Sequence, residues 1–170
     1  MPFRNVTVVR WLLYSLAFLF CCLVQGLVMQ HILLRGVFPF LYPAVVAVLA
    51  AQEGPFSGTA FGLVAGLVCD LTITGPLPCF YTLLFPLAGL LSGLIAEGLV
   101  SAGFLCSLAA VSASFVLVDG ARILLLLLSG LGDVSRALML SLQETALTLV
   151  FVLPVHLLFS AIHRKCRDID

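Results

Sequence analysis

Charge is what this sequence has least of. Asp, Glu, Lys and Arg make up only 9% of its 170 residues, where a soluble domain carries roughly a quarter. Such a chain has too few polar groups to clothe a water-facing surface, so its solvent is lipid. The charges present sum to zero, which removes the electrostatic footprint of a nucleic-acid binder. The six cysteines (Cys21, Cys22, Cys69, Cys79, Cys106, Cys166) contain no CxxC and no Cys/His cluster, so no metal site is readable. Most lie in apolar runs, where a thiol behaves as a small hydrophobe; Cys69 and Cys79 flank one loop and leave a bridge open there. There is no Ser/His/Asp arrangement, no HExxH and no phosphate loop, so neither a catalytic residue nor a cofactor is expected. Ten-residue segments of alternating polarity are also missing, which excludes a transmembrane β-barrel.

What is present is apolar. Hydrophobic residues are 62% of the chain and the mean hydropathy is +1.24. A span needs about 20 apolar residues to cross roughly 30 Å of hydrocarbon. Six spans account for about 120 residues, and the remainder suffices only for short loops. The expected fold is an all-α integral membrane protein, a single domain over 1–170 made of a compact helix bundle. It has six spans, or five if the short second run fails to cross.

The runs are Trp11–Leu34, Val37–Ala51, Phe56–Ile73, Cys79–Ala96, Ala102–Leu128 and Ala137–Ile162. Arg35-Gly36, Gln52-Glu53-Gly54-Pro55, the segment from Thr74 to Pro78, Glu97-Gly98 and the polar stretch from Ser129 to Arg136 divide them. Arg4 and Arg10 ahead of the first run have the look of a signal peptide. The run outlasts an h-region and no small-x-small site closes it, so it reads as a retained helix. Basic residues flank both ends (Arg4 and Arg10; Arg164, Lys165 and Arg167), which predicts cytoplasmic termini and an even number of spans.

The third run carries a row of small residues. Gly58, Gly62 and Gly66 recur every fourth position and Asp70 continues the row, all on one helix face. The fourth run echoes it with Gly89, Gly93 and Glu97. In lipid such faces let helices approach closely, so the rows are read as packing between these two helices or as a contact face for a partner. Asp70 lies near the Gly75-Pro76 turn and suits either a cap on backbone N–H groups or a functional acid.

Asp119 and Arg122 lie three apart and can pair on one face of the fifth run, which lowers the cost of carrying both into lipid. Glu144 has no partner at helical spacing on its own run, so its partner lies on another helix or it is protonated. With both ends inside, His31, Arg35, Asp70, Asp119, Arg122 and Glu144 fall in the outer half. They predict a polar cluster there in which Arg122 serves two carboxylates. The inner half is expected to be nearly free of charge until the headgroups. Asp133 and Arg136 are read as solvated, and His156 is expected to bond the carbonyl freed by Pro154.

The stretch from Tyr42 to Glu97 resembles the rod-shape-determining MreD family of bacterial inner-membrane proteins. The resemblance rests on the row Gly58-x3-Gly62-x3-Gly66-x3-Asp70-Leu71, followed by Gly75-Pro76-Leu77 and a second glycine-bearing helix. It implies a non-enzymatic component of the cell-elongation machinery in the cytoplasmic membrane. The implied partners are an MreC-like bitopic protein, membrane-bound wall synthases that make peptidoglycan and, indirectly, the actin-like MreB. Two other classes compete. The substrate-binding subunit of an energy-coupling-factor vitamin transporter has six helices and similar size. An intramembrane aspartyl peptidase would use Asp70 and Asp119, but Arg122 beside one acid opposes the raised pKa that a shared-proton dyad needs.

Overall fold

Glycine and proline mark some of the helix boundaries, at Gly54-Pro55 and at Gly130, whereas Pro86 and Pro154 lie inside helices. The computed structural model describes residues 3–27, 39–73, 75–98, 103–130 and 133–167, with side chains between Val8 and Lys165. Six helices and no strand occur among them: α1 (Phe3–Leu27), α2 (Leu41–Glu53), α3 (Pro55–Thr72), α4 (Phe80–Gly98), α5 (Phe104–Ser129) and α6 (Val134–Arg167). Five of the six, all but α2, are long and apolar enough to cross a membrane.

The second run departs from its expected bounds. Helix α2 starts at Leu41 rather than Val37 and has 13 residues, about 20 Å at 1.5 Å per residue. That falls short of a hydrocarbon core of about 30 Å. The end of the first run, with His31 and Arg35, lies outside the described residues.

Helix α2 is instead the centre of the bundle. Every residue from Leu41 to Ala51 is buried, and α1, α3, α4, α5 and α6 all pack on it. A helix that is apolar all round belongs inside, and alanines at 44, 47, 50 and 51 keep it thin enough for five neighbours. The turn from α2 into α3 is a single residue, Gly54. Its φ of 90° lies in the left-handed region that only glycine enters without strain, and Pro55 then starts α3 with its fixed φ.

The surface is the inverse of a water-soluble one. Leu105, Leu128, Val116 and Val150 are more than 70% exposed, while Ser92, Ser114 and Thr148 are fully buried. Leucines face outward and small or hydroxylated residues face inward, as expected where the surrounding medium is hydrocarbon and packing drives association. These features make the chain a multi-pass membrane protein built as an all-α bundle.

Contacts fix the directions of the helices. Tyr14, midway along α1, meets His163 near the end of α6, so the first half of α1 lies at the same end of the bundle as the close of α6. Ser92 meets Ser114 while Tyr81, earlier in α4, meets Arg122, later in α5; Ser107 meets His156 while Arg122 meets Glu144, so the α4/α5 and α5/α6 pairs are antiparallel.

Candidate functional site

The two glycine rows meet each other. A Cβ at Gly58 would collide with Ala50 and the Gly89 carbonyl oxygen, and one at Gly89 with the Gly58 carbonyl. Gly62 faces the Phe85 carbonyl, Gly66 the Tyr81 carbonyl and Gly93 the backbone of Pro55. The seam between α3 and α4 is therefore backbone against backbone, in antiparallel register. Both rows are consumed inside the chain and offer nothing to an outside helix. Gly75 belongs to the α3–α4 connection, with the Phe80 and Tyr81 side chains 3.4 Å from its Cβ position; Pro76 follows it and is exposed.

Asp70 closes the seam. One carboxylate oxygen accepts the Tyr81 N–H at 3.1 Å. The other accepts the Thr82 N–H at 2.8 Å and the Thr82 hydroxyl at 2.6 Å. The first N–H groups of any helix lack intrahelical partners, and a carboxylate there also meets the positive end of the helix dipole. Asp70 thus caps α4 from the neighbouring helix rather than its own turn. Cys79, just before α4, has φ 60°, a conformation unfavourable for a residue with a side chain. It is exposed and Cys69 is buried; both are free thiols, so no bridge spans the loop.

Tyr81 links this cap to the charged residues of α5 and α6. Its hydroxyl accepts from Arg122 Nη2 at 2.9 Å. Arg122 Nη1 lies 3.4 Å from Glu144 Oε2 and 3.8 Å from Asp119 Oδ1, so one guanidinium serves two carboxylates. Thr145 adds a longer contact to Asp119 at 3.4 Å. Asp119, Arg122 and Glu144 border a cleft of about 190 Å³ between α5 and α6, lined also by Ile123, Leu126, Leu140 and Ser141. Tyr81 is the second residue of α4, whereas α5 continues past Arg122 to Ser129. The α5–α6 hairpin therefore runs beyond the level at which α3 ends and α4 begins.

Helix α2 starts at this same level, with its first backbone groups held by side chains. Gln25 of α1 accepts the Leu41 N–H and donates to the Pro39 carbonyl, both at 2.9 Å. Thr148 of α6 accepts the Phe40 N–H at 3.0 Å, and Pro43 has no N–H to satisfy. Irregular backbone at membrane depth is tolerated only where protein satisfies it, and these two side chains do so. Neither was singled out from sequence. A glutamine late in one apolar run and a threonine mid-way along another were the available signals.

The opposite end, where α2 runs into the Gly54 turn, gathers a second set of polar side chains. Glu53, whose side chain is 5% exposed, accepts from the Tyr14 hydroxyl at 2.6 Å, meets His163 Nδ1 at 2.7 Å and pairs with Arg10 at 3.3 Å. It ties α1, α2 and α6 together. Asp133 is more than solvated: it accepts the Ser135 and Arg136 N–H groups at 3.1 and 3.4 Å and so caps α6. His156 bonds Ser107 across to α5 instead of the carbonyl freed by Pro154.

Chemically the arrangement holds helices together. Both oxygens of Asp70 are engaged by α4, and Asp119 sits beside a guanidinium, so the two acids do not form a shared-proton pair. No group of three or more His, Cys, Asp or Glu side chains able to hold a metal occurs among the described residues. No family model, no curated protein and no solved structure matches the chain.

Proposed function

We propose that this chain is a non-enzymatic component of the bacterial cell-elongation machinery, of the rod-shape-determining MreD kind. In this reading it is a six-helix bundle in the cytoplasmic membrane with both termini inside. Helix α2 is the short central member, sheathed by the other five. The bundle would engage an MreC-like bitopic protein and membrane wall synthases through its lateral helix faces, with the actin-like filament reached indirectly.

The observation that carries the reading is the Gly58–Gly62–Gly66–Asp70 row. The same residues that give the sequence resemblance work together as one device, a close seam ended by a cap. They make a rigid α3–α4 pair, which suits a scaffold. The transporter alternative asks for a ligand pocket, and small-molecule pockets are typically about 300–1,000 Å³. The polar cleft, at about 190 Å³, is smaller, and the roomier cavities of about 360 and 440 Å³ are lined by apolar side chains with Ser15 as their one hydroxyl.

Depletion of the chain from a rod-shaped host tests the proposal. Cells are expected to widen and round, and affinity purification of the tagged chain is expected to recover a bitopic coiled-coil protein. Cells that keep their width and instead lose uptake of a vitamin would reject it in favour of the transporter subunit.

A further inference from the structure

The charges around the α5/α6 cleft do not balance. Two carboxylates, Asp119 and Glu144, face one guanidinium, Arg122, and no other basic side chain pairs with either acid among the described residues. The uncharged neighbours, Tyr81, Ser141 and Thr145, do not alter that sum. Arg122 is also unlike a sealed internal ion, since its side chain is 36% exposed. An arginine facing hydrocarbon is costly and is retained where something polar meets it.

The cleft lies partway along the two helices. Arg122 is about 10 Å along α5 from Ser129, and Glu144 about 15 Å along α6 from Val134, at 1.5 Å per residue. Exposed apolar residues continue on both sides of it: Val116 and Leu127 on α5, Leu138 and Val150 on α6. A lipid head group sits at the border of the apolar zone, whereas a side chain on a transmembrane helix can sit within it. One wall of the cleft is small, with Ala137 and Ser141 one turn apart on α6, and small residues let a second backbone come close.

From this charge deficit and position, we infer that the α5/α6 cleft docks a transmembrane helix of a partner protein that carries one lysine or arginine. The incoming cation joins Arg122, Asp119 and Glu144 in a cluster of two positive and two negative charges. The inference deepens the proposed scaffold role, which supplies a bitopic protein as the source of that helix. The glycine rows are used up between α3 and α4, whereas this cleft presents both charge and small side chains laterally.

The test needs no host and no named partner, so it can fail independently of the elongation reading. Two synthetic leucine-rich transmembrane peptides are compared, one with a single Lys about 10–15 Å from one end and one with Leu there. Binding to the purified full-length chain is measured by energy transfer in phosphatidylcholine/phosphatidylglycerol nanodiscs. The Lys peptide is expected to bind about tenfold more tightly, the scale of one good interhelical polar contact in lipid. The preference is expected to vanish in Asp119→Asn/Glu144→Gln. It should also vanish in Ser141→Leu, which fills the cleft while leaving every charge in place and so guards against a merely misfolded variant. Equal binding of the two peptides overturns the inference, as does a Lys preference that survives in both variants. A preference abolished by adding phosphatidylethanolamine assigns the cleft to a lipid amine and overturns it too.

Discussion

Replacing Gly62 by alanine measures how tight the α3–α4 seam is. The new Cβ would lie 2.8 Å from the Phe85 carbonyl carbon and 3.0 Å from the Pro86 nitrogen, and closer still to the Phe85 oxygen. Ordinary van der Waals contact begins near 3.4 Å. All of these are backbone atoms, so no side chain can rotate away and the helices must part. A gap of about 0.5–1 Å forfeits a quarter to a half of each dispersion contact along the seam. Overpacking of this kind costs about 1–3 kcal/mol, and the upper part of that range applies where packing is the main attraction between helices. Alanine recovers about 0.5–1 kcal/mol through helix propensity, leaving a net loss of about 1–2 kcal/mol. Gly120→Ala is the matched control, because its Cβ would meet nothing within 4 Å. It gains the propensity term alone, so the two variants should differ by about 2–3 kcal/mol. Equilibrium unfolding in mixed micelles of rising sodium dodecyl sulfate content, followed by circular dichroism, reads that difference. Equal stability of Gly62→Ala and Gly120→Ala would refute the backbone-to-backbone seam.

Three further outcomes follow from the same geometry and use the same unfolding assay. Asp70→Ala orphans the Tyr81 and Thr82 N–H groups and is expected to lower stability by about 1–2 kcal/mol, the usual worth of a helix cap; faster amide exchange at 81 and 82 would locate the loss, and unchanged exchange there would contradict it. Cys79→Gly relieves a side chain held at positive φ and is expected to raise stability by about 1 kcal/mol, whereas a loss would show that the Cys79 side chain stabilises the turn in some other way. Gln25→Leu removes both bonds to the start of α2 and is expected to cost about 1–3 kcal/mol despite the gain in hydrophobicity; a stabilised variant would mean that α2 begins without needing those partners.

Much of the helical layout was legible because lipid imposes it. Long apolar runs must be helical to satisfy their own backbone, and Gly54-Pro55 marks the α2–α3 turn by residue type alone. The glycine rows were legible as close-contact faces, and the two readings of them, internal packing or partner face, divided on information that spacing does not contain. The mutual facing of Gly58 and Gly89 depends on the register of α3 against α4, a property of two segments jointly. Glu144 shows the same boundary. Its lack of a local partner pointed to another helix, but not to Arg122 or to Tyr81 beside it. Helix α2 is legible as a short run but not as the buried centre of the bundle, because hydropathy does not distinguish a residue buried in protein from one facing lipid. Glu53 was read as part of a loop, since nothing local reveals that Arg10, Tyr14 and His163 converge on it.

The polar side chains are few, and their placement follows from the shortness of α2. A central helix of 13 residues cannot bring both of its ends to water, so each end needs partners from the surrounding helices. At its start these are Gln25 and Thr148; at its end, Glu53 is met by Arg10, Tyr14 and His163. Thr148 in turn donates to the Glu144 carbonyl, Glu144 meets Arg122, and Arg122 reaches Tyr81, whose N–H rests on Asp70. Hydrogen bonds and ion pairs thus place all six helices in register at the level where α2 begins, which nonspecific contacts between leucines would not do. A water-soluble bundle gets its cohesion from burying leucine, whereas here leucine is equally content facing lipid. Register must therefore come from close glycine contacts and directional polar bonds. That requirement accounts for the internal use of Asp70 and both glycine rows, and in the α5/α6 cleft it is met with two carboxylates on one guanidinium.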